Sequence, residues 1–237
     1  GRIVARGDTV KDEQNFYSVF SEQGTSASHL ASAKFLDAIA RLPDCDGEDS
    51  DAVGAYTQVV MSELPEAKEF EFWVQLPKYR QPKSWSKFSE PVCRLTRNLY
   101  GMPLAGLWWE KYAHRILESE GFLPVQGWEC LYKHPEQKLF LSVYVDDFKM
   151  AGRASSLKPM WAKLGKHLVL DEPTPVHKSV YLGCGQALIA APMDLIAEKA
   201  PLLDRLFPTE PAGKIQDVGS SATNEPSESI PVPHMAC

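Results

Sequence analysis

Apolar side chains recur at helical spacing in two stretches of the chain, residues 25–42 and 104–119, and we predict a helix for each. A third helix is predicted over residues 155–167, where Pro159 lies near the first turn and is tolerated. The N-cap candidates of the first helix are Thr25, Ser26 and Ser28. The apolar positions of the first two helices are Ala31, Phe35, Ile39 and Leu42, and Leu104, Trp108, Tyr112 and Ile116. We expect these faces, and Trp109 beside them, to pack in a core.

Strand patterns are shorter than the helical ones. Weak alternation predicts strands over residues 2–6 and 179–183, and two apolar runs around an acidic turn predict a β-hairpin over residues 137–151. The acidic run Asp44–Ser50 predicts a poor strand, because Asp and Gly are depleted in sheets and like charges repel. It does not fit a calcium loop either, since Asp49 and Ala55 stand where that loop needs Gly and Glu. We therefore expect an acidic surface loop there, or a segment that drifts free of selection.

The turn of the predicted hairpin carries the strongest chemical signal, the tetrapeptide Tyr144-Val145-Asp146-Asp147. Adjacent carboxylates on a rigid hairpin can hold a hard divalent cation bound to phosphates. Asp is also a common turn residue, so a plain turn is the alternative interpretation. Asp51, far upstream, would supply the third carboxylate that a two-metal phosphoryl-transfer centre needs from a separate segment.

Length and composition fit one compact unit followed by a tail. The 237 residues are 44% hydrophobic, which suffices for a core. No apolar run is long enough to span a membrane and no leader opens the chain, so we expect an intracellular protein without a membrane partner. We place the domain at residues 1–186 and an acidic, Pro/Ser-rich, largely disordered tail at residues 187–237. Five dispersed cysteines without paired spacing are expected to be reduced thiols.

The formal net charge of −6 is unusual for a nucleic-acid binder, but its distribution is uneven. From Ala187 onward there are seven acidic and three basic residues, which accounts for −4 of that charge. Basic residues cluster with aromatic ones over residues 78–87, a composition suited to phosphate contacts and base stacking. A solvated loop is the alternative interpretation of that cluster.

The acidic residues also belong to a longer ordered set of short motifs. The set comprises Arg2–Gly7, Val92–Gly101, Trp109-Glu110-Lys111, Gly121-Phe122, Cys130-Leu131-Tyr132, the Tyr144–Asp147 tetrapeptide and Tyr181-Leu182-Gly183. In this order the motifs resemble the reverse transcriptase of copia-type long-terminal-repeat retrotransposons. The resemblance spans most of the chain, and it implies an α+β fold, the fingers and palm of a right-hand polymerase, with an antiparallel palm sheet backed by helices.

The resemblance also implies roles for individual residues. Asp51 and Asp146 would be the principal ligands of two Mg²⁺ ions, with Mn²⁺ as a possible substitute, and Asp147 would assist from the edge of the site. Substrate-binding roles would fall to Arg2, Arg6, Tyr56, Tyr100 and Gly101. The two arginines would clasp triphosphate oxygens, Tyr56 would exclude a 2′-hydroxyl, and Tyr100 with Gly101 would line the nucleotide and template pocket.

The implied partners are an RNA template, a DNA primer and deoxynucleotides, together with other parts of a Pol polyprotein such as a thumb, a ribonuclease H domain and an integrase. We expect the chain to be a fragment of such a polyprotein, located in the cytoplasm, in a virus-like particle, or in the nucleus. Because few residues follow Tyr181-Leu182-Gly183, no thumb is expected and activity of the chain alone should be feeble.

Two departures from the family pattern keep a second hypothesis open. The Leu-Lys-Gln-Ala-Pro run that usually follows Leu-Tyr-Gly is here Met102–Gly106, and the acidic run before Asp51 replaces an apolar strand. The alternative is a catalytically silent remnant that serves as a nucleic-acid or protein-binding module. A nucleotide cyclase is a weaker alternative, because it leaves the arginine strand and the Leu-Tyr-Gly segment unexplained.

Overall fold

The computed structural model describes residues 4–11, 30–68, 71–181, 183–186 and 190–207. All of them belong to one compact unit, Gly1–Phe207. The predicted N-caps of the first helix, Arg2, and the part of the predicted disordered tail beyond Phe207 lie outside these residues.

Six helices and ten strands occur in this part of the chain. The helices are α1 (Leu30–Ile39), α2 (Ala55–Gln58), α3 (Ala105–Ser119), α4 (Ala154–Leu164), α5 (Met193–Lys199) and α6 (Leu202–Leu206). The strands are β1 (Cys45–Asp51), β2 (Trp73–Val74), β3 (Cys93–Arg94), β4 (Leu123–Pro124), β5 (Leu131–His134), β6 (Leu139–Tyr144), β7 (Asp147–Arg153), β8 (Thr174–Pro175), β9 (Val180–Tyr181) and β10 (Cys184–Gly185). Short 3-10 turns cover Gly7–Thr9, Lys78–Arg80 and Lys83–Lys87.

Six of the strands form the central sheet, in the order β4-β5-β6-β7-β1-β8. Every neighbouring pair in it is antiparallel. The strands β9 and β10 form a separate hairpin, and β2 pairs with β3. The predicted mixed fold, an antiparallel sheet with helices packed on it, is therefore what the structure has.

Each face of the central sheet is covered by its own hydrophobic cluster. On one face, α3 and α4 bury Trp108, Trp161 and their neighbours against Phe148 and Met150 of β7. On the other face, Leu36 of α1 lies in a smaller cluster. That cluster is completed by Ile39, Ala40, Leu131, Phe140, Ala151, Val176, Leu203 and Phe207. Burial of both faces fixes the strand register, because a slip of one residue would exchange the faces of every side chain.

The strand β1 corrects the expectation of an acidic surface loop. Residues Cys45–Asp51 pair with β7 along their whole length, and the cationic residues Lys149 and Arg153 of β7 lie opposite Asp49 and Cys45. A Cβ atom on Gly47 would lie 2.9 Å from the Cβ of Ala40, so this glycine allows α1 to pack closely on the strand. Lys149 of the partner strand lies 3.7 Å from Asp49, and pairing within the folded protein overrides the low strand propensity of β1.

The predicted helices are present with shifted limits. The helix α3 begins one residue later than predicted and buries Trp108, Trp109 and Ile116. In the described part of the first helix, the predicted core residue Ile39 is buried, and Phe35 and Leu42 pack against the core, which confirms most of the predicted face. Ala31 is exposed instead, and Leu36 is buried. In α4, Pro159 lies inside the helix rather than in its first turn. Of the predicted strand over residues 2–6, the described part is irregular.

The segment predicted as a tail includes structured residues. Helices α5 and α6 lie within it, and Leu203 and Phe207 are buried. The Phe207 ring lies 4.8 Å from the Phe140 ring of the central sheet, measured between centroids. These apolar side chains explain why the compact unit extends past residue 186, while disorder of the segment beyond Phe207 stays a prediction.

In the described ranges, Cys45, Cys93 and Cys130 are not in disulfides. Burial raises the pKa of Cys130 to about 12 and that of Cys45 to about 11, which makes both poor nucleophiles at neutral pH. None of the helices in the described residues is both long and apolar enough to cross a membrane.

Candidate active site

The turn between β6 and β7 presents the acidic tetrapeptide. Tyr144 pairs with Asp147, which leaves Val145 and Asp146 as the two residues of the loop. Val145 has a φ of +56°, a conformation that a β-branched residue rarely adopts. The indole Nε1 of Trp109 donates a hydrogen bond of 2.5 Å to the carbonyl oxygen of Val145. Trp109 belongs to α3 and its side chain is buried, so this hydrogen bond attaches the strained turn to the core.

The strand β1 brings Asp51 to the same end of the sheet. Asp51 lies directly opposite Asp147 in the antiparallel register, so both side chains project from one face. The backbone amide of Ala52 donates a hydrogen bond of 2.7 Å to the carbonyl oxygen of Asp146. Two segments far apart in sequence therefore place Asp51, Asp146 and Asp147 in one neighbourhood.

The pKa of Asp147 is affected by the two neighbouring carboxylates. Burial raises the pKa of Asp147 most, and the charges of Asp51 and then Asp146 raise it further, to about 6 from an ordinary value of 3.8. A hydrogen bond between the carboxyl groups of Asp147 and Asp51 acts in the same direction. Mutual repulsion of this kind is what makes grouped carboxylates bind protons or cations.

The side chains of the three aspartates do not form a metal-binding cluster in the described structure. Within the described ranges, no group of three or more His, Cys, Asp or Glu side chains is positioned to hold a metal ion. The donor chemistry nevertheless suits Mg²⁺, which prefers carboxylate oxygen and usually takes only one or two such ligands from the protein. A bound dication would also relieve the repulsion that raises the pKa of Asp147.

The next residue pair on the same sheet face is Asp49 opposite Lys149. The Lys149 side chain is only 1% exposed. Its Nζ lies 2.5 Å from Asp37 of α1 and 3.7 Å from Asp49, and 4.7 Å from the centroid of the Tyr181 ring. A buried cation therefore adjoins the acidic end of the sheet.

Two predicted pocket residues, Tyr56 and Tyr100, meet beside the acidic turn. Their rings are stacked with centroids 4.4 Å apart and planes inclined by 23°. Tyr56 is carried by α2, which begins shortly after Asp51. Burial raises the pKa of Tyr56, and the negative charge of Asp146 raises it further, which places this ring near the carboxylate.

Gly101 adjoins these rings and packs against the N-terminal segment. It has a φ of +85°, and a Cβ atom there would lie 2.1 Å from the carbonyl oxygen of Ala5. The amide of Ala5 donates a hydrogen bond of 2.7 Å to the carbonyl oxygen of Tyr100. The close approach that only glycine permits is thus made by the protein's own backbone, and it anchors Ala5, the neighbour of Arg6.

Arg6 has an exposed side chain whose guanidinium pairs with Asp8 at 3.0 Å. Arg2 lies outside the described residues. Triphosphate binding by these two arginines therefore stays a prediction.

A family model describes residues 1–199 of the chain, and it is that of the reverse transcriptase, an RNA-dependent DNA polymerase. The chain belongs to the reverse transcriptase family. The match covers the two segments that carry the aspartates, Tyr56 and the Tyr100-Gly101 pair. A search of curated proteins gives no match.

Two residues of this reverse transcriptase site were missed by sequence reasoning. Trp109 was assigned to core packing, and its burial confirms that, but its indole also bonds to the acidic turn. Lys149 was treated as part of an apolar run, although a lone lysine between two buried strand residues is itself a signal of a buried ion pair. The partner of Trp109 could not be inferred, because no pattern within α3 points to the turn.

Proposed function

We propose that the chain catalyses RNA-directed DNA synthesis as the polymerase domain of a copia-type retrotransposon polyprotein. The observation that carries this proposal is the in-register pairing of Asp51 with Asp147 beside the acidic turn. Membership of the reverse transcriptase family supports it. In this account the substrates are an RNA template, a DNA primer and deoxynucleotides, and the protein acts inside the cell.

In this proposal Asp51 and Asp146 would hold Mg²⁺, with Asp147 assisting from the edge of the site. The metal would supply charge neutralisation at the triphosphate and activation of the primer 3′-hydroxyl. The contribution of the protein is to fix Asp51 and Asp147 on adjacent antiparallel strands, whose register leaves little freedom for these two carboxylates to separate. The Trp109 hydrogen bond to Val145 holds the loop that carries Asp146.

The aromatic pair would form the floor for the incoming nucleotide. Tyr56 is stacked on Tyr100, so its ring has a fixed orientation near Asp146. A ring held in that way can exclude a 2′-hydroxyl by contact alone, without any hydrogen bond to the sugar. Arg6, an exposed cation anchored next to Ala5, would meet the triphosphate.

The test is primer extension on an RNA template with deoxynucleotides and either Mg²⁺ or Mn²⁺, comparing the chain with its Asp146→Asn variant. We expect incorporation by the wild type that is lost in the variant. Equal traces in both proteins would overturn the proposal and favour the silent binding module.

A further inference from the structure

The chain between β2 and β3, residues 75–92, forms a basic, largely exposed loop. We call it the β2–β3 loop. It holds four basic residues, Lys78, Arg80, Lys83 and Lys87, and one acidic residue, Glu90, so its charge is +3 in a chain of −6. All four basic side chains are exposed. A positive segment on a negative protein concentrates an anionic partner at one place.

The four cations of this loop form no salt bridge with a carboxylate of the described residues. Arg94 at the base of the loop pairs with Glu71 at 3.0 Å. Lys149 pairs with Asp37, and the salt bridges found in the described ranges include none of the four loop cations. Their charge is therefore available to an external anion.

Aromatic rings are exposed in the same loop and at its base. Tyr79 is 82% exposed and Phe88 is 56% exposed, and Trp73 of β2 is 57% exposed. Arg80 lies over the Tyr79 ring at 5.6 Å and Lys87 over the Phe88 ring at 5.2 Å, measured to the centroid. The Tyr79 and Phe88 rings are therefore open to solvent, and each has a cation beside it.

The base of the loop is fixed to the core. The amide of Leu95 donates a hydrogen bond of 2.8 Å to the carbonyl oxygen of Phe72. The Phe72 ring packs edge-on against the buried Trp108, with centroids 5.7 Å apart. The base of the loop is thus packed against the buried Trp108 of α3.

We propose that the β2–β3 loop binds single-stranded nucleic acid, with bases stacked on Tyr79 and Phe88 and phosphates on the four cations. Stacking on exposed rings requires unpaired bases, because the bases of a duplex already stack on each other. The inference rests on the proposed function only for the identity of the strand, which would be the unpaired template.

The experiment measures binding of fluorescent single-stranded and double-stranded oligonucleotides by anisotropy, in EDTA and without deoxynucleotides. We expect the single strand to bind more tightly, with a slope of log K against log salt of about −3 for four phosphate contacts. Neutralising all four loop cations to Gln should remove most of that slope. The charge-matched control neutralises Lys34, Lys158, Lys163 and Lys166, which are also exposed, and should leave the slope unchanged.

A second pair of variants separates stacking from charge. Tyr79→Ala with Phe88→Ala should weaken single-strand binding roughly tenfold or more. Tyr79→Phe with Phe88→Tyr keeps both rings and should bind like the wild type. These side chains are exposed, so the variants test the surface and not the core.

Two outcomes would overturn the inference. One is that the protein binds the single-stranded and the double-stranded oligonucleotide with equal affinity and that no loop variant changes this affinity. The other is failure to bind the single strand while vesicles of anionic lipid are bound, which would assign the loop to a membrane surface. Failure of the proposed function gives a different result. If the chain extends no primer, it should still bind the single strand in EDTA, and so should Asp146→Asn.

Discussion

Asp49 lies directly opposite Lys149, the next residue pair on the sheet face that carries the facing aspartates Asp51 and Asp147. Burial raises the pKa of Asp49, and the buried ammonium of Lys149, 3.7 Å away, acts in the opposite direction. Lys149 also ties β7 to α1 through Asp37.

Replacing Lys149 with Met should therefore destabilise the fold. The variant leaves Asp37 and Asp49 without their buried partner, and we expect the free energy of unfolding to fall by about 3–5 kcal/mol. Urea unfolding followed by circular dichroism measures this change. Adding Asp37→Asn and Asp49→Asn to the variant should restore much of the loss, since no buried charge is then uncompensated. A Lys149→Met protein as stable as the wild type would contradict this assignment.

Trp109→Phe should impair the acidic turn more than the fold. The substitution removes the hydrogen bond to Val145 and part of a buried ring, at a cost of roughly 1–3 kcal/mol. Because the turn carries Asp146, we expect the rate of single-nucleotide incorporation to fall about tenfold or more. The control is Tyr112→Phe, which removes a hydrogen bond from α3 to the backbone of His167, away from the turn. Equal incorporation rates in both variants would remove the positioning role of Trp109.

The raised pKa of Asp147 predicts how stability depends on pH in metal-free buffer. The folded-state pKa of about 6 exceeds the ordinary value of 3.8, so the folded protein holds this proton more tightly than the unfolded chain. The resulting stabilisation is complete below about pH 4 and is lost as the pH rises through about 6. Asp147→Asn should lack this loss. Its free energy of unfolding should therefore increase relative to that of the wild type between pH 4 and pH 7.

Urea unfolding at several pH values measures this difference. The control is Asp194→Asn, an exposed substitution in α5, which should follow the wild-type curve. Parallel curves for Asp147→Asn and the wild type would show that Asp147 titrates normally.

Tyr56→Ala tests the sugar selectivity assigned to the stacked ring. Without the ring, the position below the sugar is open, and incorporation of ribonucleotides should rise relative to deoxynucleotides. Tyr56→Phe keeps the ring and its contact with Tyr100, so its discrimination should match that of the wild type. Competition between a ribonucleotide and the matching deoxynucleotide on one template gives the ratio directly. If Tyr56→Ala discriminates as well as the wild type, the ring does not select the sugar.

The sequence predicted the elements with strong local patterns. The β6–β7 hairpin and α3 follow from alternation and helical spacing within their own residues, and both are present. The strand β1 did not follow, because Asp49 in it meets Lys149 of β7, and this contact exists only after the strands have paired. The inward face of the first helix was predicted in part, since Phe35, Ile39 and Leu42 lie in or against the core, whereas the burial of Leu36 depends on the sheet beneath the helix.

The candidate site was likewise predictable in part from the sequence. The acidic tetrapeptide and Asp51 could be selected by residue type, but their mutual position depends on the register of β1 against β7. Register is set by burial of both sheet faces, which no single segment encodes. The bond from Trp109 to the turn is likewise a contact between elements, and it became visible only with the fold.

The most direct test of the account is single-deoxynucleotide incorporation on an RNA template by Asp51→Asn. Its control is Asp171→Asn, which makes the same charge change at an exposed residue whose backbone amide bonds to the carbonyl of Asp51. The account predicts that Asp51→Asn abolishes Mg²⁺-dependent incorporation while Asp171→Asn retains it. Incorporation by Asp51→Asn at the wild-type rate would contradict the claim that Asp51 acts together with Asp146 and Asp147.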